Sequence, residues 1–183
     1  MISNLRQLLT GNDRDKIYSA LTDLMDSLAL TGGNYQSASA HYLLGIAYRD
    51  IGDLDNSAQS LELSLELETT NPPAPSARAL LPEVYLQLGA FGSAGEALAN
   101  LADSQQDSGD LAESVATFGS SADAYRSAGL SIEEAASLFA QGEIYLRLDE
   151  QENARQSFTN SVAADPLGHL APRAYFLIGD AAI

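Results

Sequence analysis

At 183 residues the chain is long enough for one domain, or one short array of repeats, with a substantial core. It has no cysteine, which excludes disulfides, thiolate metal sites and cysteine nucleophiles, and only His41 and His169 offer imidazole chemistry. Acidic residues number 25 against Lys16 and eight unclustered arginines, a formal charge of −16, so the basic patch that nucleic-acid binding needs is missing.

Hydrophobic residues make up 45% of the chain, yet no apolar run approaches the ~18 residues that span a bilayer. The opening MISNLRQLLTGNDR lacks a basic region followed by an apolar one. These features predict a soluble, cytoplasmic chain without membrane attachment. Asp outnumbers Glu, 14 to 11, although Glu is the better helix former. The bias fits a solvated acidic surface, many helix caps, a high-salt host or a basic partner.

In chain order, a short helix at NLRQLL and a longer one from about Asp15 to Leu30 are predicted first, the latter with Ala20, Leu24 and Leu28 four apart. TGGN at 31–34 ends it. Ser37 to Leu67 then carries Leu44-Gly45-x2-Tyr48, Gly52-Asp53, and Ser57, Leu61, Ser64 and Leu65, a helical hairpin. His41, on its packing stripe, reads as a partly buried core residue, because no second histidine or carboxylate lies at metal-ligand spacing. Glu68 to Ser76, with Pro72, Pro73 and Pro75, reads as a loop.

A helix from about Ser76 to Leu88 follows, with Pro82 in its interior. Proline there removes a backbone bond and costs roughly 3 kcal/mol, so a kink or a restart near Pro82 is expected. The next helix, about Ser93 to Gln106, pairs equally well with the preceding one or with the stretch after Gly109-Asp110, where Ser114, Phe118, Ser121 and Ala122 recur. Gly129 closes the next turn, and Ser131 with Glu134 has the pattern of a capping box. Ala135 to Pro166 supplies Leu138-x3-Gly142-x2-Tyr145, then Ala154-x3-Phe158 and Pro166. A last helix, about Ala171 to Ala182, carries Tyr175, Phe176, Leu177, Ile178 and Gly179.

These spacings resemble the tetratricopeptide repeat, whose consensus is W-x2-L-G-x2-Y, then A-x3-F, then P. The segments 37–67 and 135–166 carry it best, with Leu138 in the Trp place and Gln141 in the Leu place. Equivalent first places fall at Met1, Ala38, Pro75, Gly95, Ala135 and Pro172, so one step, between Pro75 and Gly95, is only half a repeat. The resemblance implies an all-α α-solenoid of antiparallel hairpins, about 9–10 helices in a right-handed superhelix, as one repeat domain over 1–183. The helix at 171–183 would begin a repeat whose second half is missing.

No phosphate loop, H-E-x-x-H or G-x-S-x-G is present, and no enzyme, metal or cofactor is expected. Glu133-Glu134 and Glu150 with Glu152 fall where helices start or turn, as a helix dipole favours, and His169 reads as a surface residue. What the resemblance implies is a non-enzymatic scaffold or adaptor that binds a peptide or protein segment in a concave groove; a sensory or regulatory module of a larger protein is the alternative. Relatives that grip the acidic tail of chaperones use Lys and Asn at first-helix places that here hold Tyr42 and Ile46, so that clamp is absent. By the resemblance, Tyr42, Ile46, Arg49, Glu83, Leu86, Phe139, Glu143 and Arg147 face the groove, which suits a partner with apolar anchors and basic character. The apolar last helix calls for a cover, either a following helix or a second copy in a homodimer.

Overall fold

The computed structural model describes residues 34–180 together with Asp23; the expected helices before residue 31, and Ile183, lie outside the described residues. Eight α-helices account for the described chain: α1 (Asn34–Asp50), α2 (Leu54–Leu67), α3 (Ala74–Leu88), α4 (Phe91–Ser108), α5 (Leu111–Ala128), α6 (Ser131–Arg147), α7 (Gln151–Ala164) and α8 (Ala171–Asp180). No strand occurs among the described residues. Packing divides the chain into two compact units, Met1–Leu88 and Gly89–Ile183.

In the first unit α1 packs on α2 and α2 on α3, and α1 also touches α3. The α1–α2 seam is built from small residues. Gly45 lies so close to α2 that an added Cβ would sit 2.6 Å from Leu61 Cγ, well inside contact distance. Ser57 Oγ donates to the Gly45 carbonyl at 2.7 Å, and Ser64 Oγ to the Ala38 carbonyl at 2.8 Å. Residues later on α2 pair with residues earlier on α1, so the helices are antiparallel. Each hydroxyl takes the second lone pair of a carbonyl and thus meets its own bonding need without leaving the core.

Connections are short because the backbone turns sharply between helices. Gly52 and Gly109 adopt φ of 79° and 90°, the left-handed region that suits glycine. Asp149 holds the equivalent place before α7 at φ 61°, a conformation Asp tolerates better than most residues. Asp53 caps α2 by accepting from the Asn56 amide at 3.3 Å. Glu68 accepts from the Thr70 and Asn71 amides, both at 3.0 Å, and these bonds hold its carboxyl down at about 2.

The α3 helix corrects one expectation. It runs unbroken from Ala74 to Leu88 with Pro82 inside, so no restart occurs there. One missing backbone bond is set against the burial of Ala77, Leu80, Leu81, Pro82 and Val84. At about 1.5–3 kcal/mol for each large apolar side chain, burial outweighs the loss.

In the second unit each helix from α4 packs on the next. The hairpin formed by α4 is the one with α5 about Gly109-Asp110. Gly95 meets Tyr125 of α5 as Gly45 meets Leu61: an added Cβ would lie 2.7 Å from the ring. Three further side-chain donors reach back 26 residues to a carbonyl of the preceding helix: Ser121 to Gly95 at 2.8 Å, Gln141 to Val115 at 3.0 Å and Ser161 to Ala135 at 2.7 Å. Successive members of this series are 20 residues apart, the same half step that interrupts the repeat spacing. Each of α5 and α6 is therefore a second helix to its predecessor and a first helix to its successor.

Two hydroxyl relays extend the series. Ser137 and Ser121 hydroxyls lie 3.0 Å apart, and because Ser121 already donates to Gly95, Ser137 is the donor. Ser157 donates to Gln141 Oε1 at 3.0 Å, while Gln141 Nε2 donates onward to Val115. Polar side chains thus thread α4 to α7 with their bonds made. Ala102, Val115, Phe118 and Ile144 form the apolar core beside them, and Phe139, Ala154, Phe158, Val162, Ala171 and Ala174 form the next.

The capping box expected at Ser131 does not form: α6 begins at Ser131 itself, without a side-chain cap. Glu134 instead accepts from Arg126 Nε at 2.8 Å across the α5–α6 turn, an ion pair that competes for the carboxylate the box would need.

Two substitutions test these seams. An added Cβ at Gly142 would lie 2.6 Å from the Phe158 ring, so Gly142→Leu should cost at least about 1–3 kcal/mol; a thermal melt matching the parent would remove Gly142 from the seam. Gln141→Leu restores the repeat consensus but breaks the Ser157–Gln141–Val115 relay. Urea unfolding should show a loss of about 1–3 kcal/mol rather than a gain.

Candidate functional site

On α1, Tyr42, Ile46 and Arg49 follow one another at helical spacing along one face, and all three are half-buried. On α3, Glu83 and Leu86 are exposed, Leu86 at 44%. The two helices belong to one unit and touch, so five of the eight expected groove residues stand on neighbouring first helices. Arg49 is held flat by Asp50, which accepts from its Nε at 3.0 Å and its Nη2 at 2.8 Å. Behind this face Tyr85 of α3 donates to Glu62 of α2.

His41 precedes Tyr42 and is half-buried, and this burial pushes its imidazole below the ordinary range, as disfavours a charge removed from water. His169 is exposed in the α7–α8 turn. The packing role expected of His41 and the surface place expected of His169 agree with this.

Phe139, Glu143 and Arg147 lie on α6, in the other unit. Phe139 needs correction: it is 4% exposed and cannot serve as an open anchor. Its ring packs on Phe158 with centroids 5.2 Å apart, and the Arg173 guanidinium of α8 lies 5.1 Å over it. The reason is the arrival of α8, which covers the α6 face that the repeat pattern alone leaves open. Glu143 pairs with the same Arg173, while Arg147 is exposed. Arg173 was not legible as a site residue, because nothing in the repeat spacing connects it to a carboxylate 30 residues earlier.

No cluster of metal-ligating side chains occurs among the described residues, and no described helix is long and apolar enough to cross a membrane.

Residues 38–71 and 135–166 each match the family model of the tetratricopeptide repeat. These are the two hairpins in which a glycine faces Leu61 or Phe158, so the helical chain is similar to tetratricopeptide repeats at both. Among solved structures, BtubC (BKLC) from P. vanneervenii is 14% identical with a TM-score of 0.44, covering 98% of this chain and 71% of that one. The apo form of RapI is 12% identical with a TM-score of 0.42, covering 97% and 60%. A tetratricopeptide repeat protein from Parabacteroides merdae is 18% identical with a TM-score of 0.37, covering 80% and 60%. The chain thus spans 60% of the length of the latter two. No curated protein matches it.

The lowered His41 has a signed consequence. The folded state binds fewer protons there than the unfolded state, so stability is highest above the unfolded value of 6.5 and falls as pH drops through it toward the folded value. NMR titration should place the His41 imidazole below 6.5, and His41→Gln should flatten this part of the stability profile. A His41 resonance that titrates above 6.5 would contradict its burial.

Proposed function

We propose that this chain is a non-catalytic interaction scaffold whose α1–α3 face binds a segment of another protein. The observation that carries the reading is Leu86, a large apolar side chain left 44% exposed on α3, a helix that touches the α1 helix on which Tyr42 and Ile46 are half-buried. Exposed apolar area rimmed by charge is what a docking peptide covers, and aromatic and aliphatic anchors supply most of the energy at such contacts. Glu83 stands one helical turn from Leu86, and the whole chain carries a formal charge of −16, so the segment that fits best is apolar at its centre and basic at its ends. Phe139 has no part in this face. The match to tetratricopeptide repeats supports recognition as the role of this face.

The test is capture with the purified chain as bait, comparing the parent with Leu86→Ala combined with Glu83→Lys. Both positions are exposed, so the fold should hold, and circular dichroism checks this. Capture of the bound protein should fall roughly tenfold or more, with greater salt sensitivity in the parent than in the variant. A folded double variant that captures the same protein undiminished would move the binding face elsewhere.

A further inference from the structure

We propose that the end of the second unit where α4 begins, α5 finishes and α6 begins is a docking site for a basic segment of a partner protein, in which a large apolar side chain is flanked by lysine or arginine. The contacts that close this end put its parts side by side. The Cβ position of Gly92 on α4 lies 3.3 Å from Leu130 Cδ1 in the α5–α6 turn, and Glu96 stands one helical turn after Gly92 on the same face. The Tyr125 ring of α5 fills the space at Gly95, and the Leu130 amide donates back to the Tyr125 carbonyl at 3.0 Å. Burial, and then the carboxylates of Glu96 on α4 and Glu133 on α6, push the Tyr125 hydroxyl above its ordinary range, so both acids stand near one phenol.

Apolar area and charge are both left open here. Leu130 and Ile132 are 38% and 59% exposed, and Phe91, next to Gly92 in the chain, is 39% exposed. Large apolar side chains left in water around a fixed turn are what a partner covers. Glu96 and Glu133 are exposed and make no ion pair among the described residues. Arg126, at the end of α5, is already held by Asp123 at 2.7 Å and by Glu134 at 2.8 Å. With Glu96 and Glu133 added to that pair, four carboxylates share one guanidinium, and an occupant must bring positive charge as well as apolar area.

Charge also discriminates among occupants. A second copy arrives with its own formal charge of −16, and its Arg49, Arg126, Arg155 and Arg173 are each paired with an acid. The first 33 residues of the chain carry three basic side chains, Arg6, Arg14 and Lys16, against four acidic ones, Asp13, Asp15, Asp23 and Asp26, and so offer no positive surplus. Lipid phosphates and nucleic acid are repelled by the same carboxylates. A basic segment of another protein satisfies both the charge and the apolar area. The site lies in the second unit and takes in no residue of the α1–α3 face, so it stands or falls separately.

The probe is a fluorescein-labelled peptide, Gly-Lys-Arg-Leu-Phe-Arg-Lys-Gly, titrated with the full chain at low and at physiological salt. Its anisotropy should rise to saturation, with weaker binding at the higher salt. Glu96→Lys combined with Glu133→Lys, both exposed and checked for folding by circular dichroism, should weaken binding roughly tenfold or more, and Ile132→Ser roughly threefold or more. Asp55→Lys with Glu66→Lys on α2 changes the net charge equally and should weaken binding by no more than about twofold, as should Leu86→Ala with Glu83→Lys. No saturable binding, or an equal loss in the α2 control, would overturn the assignment. A loss confined to the Leu86 variant would move the peptide to the α1–α3 face and overturn it as well. Sedimentation supplies the remaining outcome: a dimer of the parent that Ile132→Ser dissolves would assign this end to a second copy and overturn the partner reading.

Discussion

How closely two antiparallel helices approach is the constraint on which this molecule depends. Gly45 against Leu61, Gly95 against Tyr125 and Gly142 against Phe158 set that distance, because each glycine leaves room for one side chain and no more. The close approach has a polar consequence: at such short range a serine hydroxyl on one helix reaches a main-chain carbonyl on the other. Ser57, Ser64, Ser114, Ser121 and Ser161 all do so, and all are buried. A hydroxyl in an apolar seam is costly without a partner and tolerable with one. Apolar filling and polar bonding therefore enforce the same register, and a helix that slipped by one turn would forfeit both at once.

Much of the fold was legible because the repeat spacing reports seam contacts directly. Gly45, Leu61, Gly142, Ala154 and Phe158 stand at the seams it marks, and Gly52-Asp53 makes the turn. A single backbone bond does not decide whether a helix continues. Pro82 removes a backbone hydrogen bond, but a helix buried along Ala77, Leu80, Leu81 and Val84 is held by packing, which local propensity does not register. Ser131 and Glu134 had the spacing of a capping box, yet Arg126 from the preceding helix claimed the carboxylate. The absent restart at Pro82 and the absent box at Ser131 are both cases where a tertiary contact outcompetes a local one.

The candidate surface was less legible than the fold for a related reason. Exposure depends on which helix comes next, and a repeat consensus describes one hairpin at a time. Tyr42, Ile46 and Leu86 keep some solvent access, whereas Phe139, at the same place in its repeat as Tyr42, is covered by α8 and by Arg173. Arg173 combines an ion pair to Glu143 with a contact over the Phe139 ring, a combination that only the folded arrangement of α6 and α8 creates.

The donors at 121, 141 and 161, each bonded 26 residues back, bear on how such a chain changes length. Because α5 and α6 each present one face that completes the helix before and another that begins the helix after, the unit of growth is a single helix of about one half repeat. Within α4 to α7, duplication or loss of one such segment leaves each seam with a compatible neighbour, so an odd number of helices there is as admissible as an even one. A family of such chains can then vary in reach by one helix diameter at a time, and spacing between docking faces becomes adjustable in finer steps than the two-helix repeat alone permits.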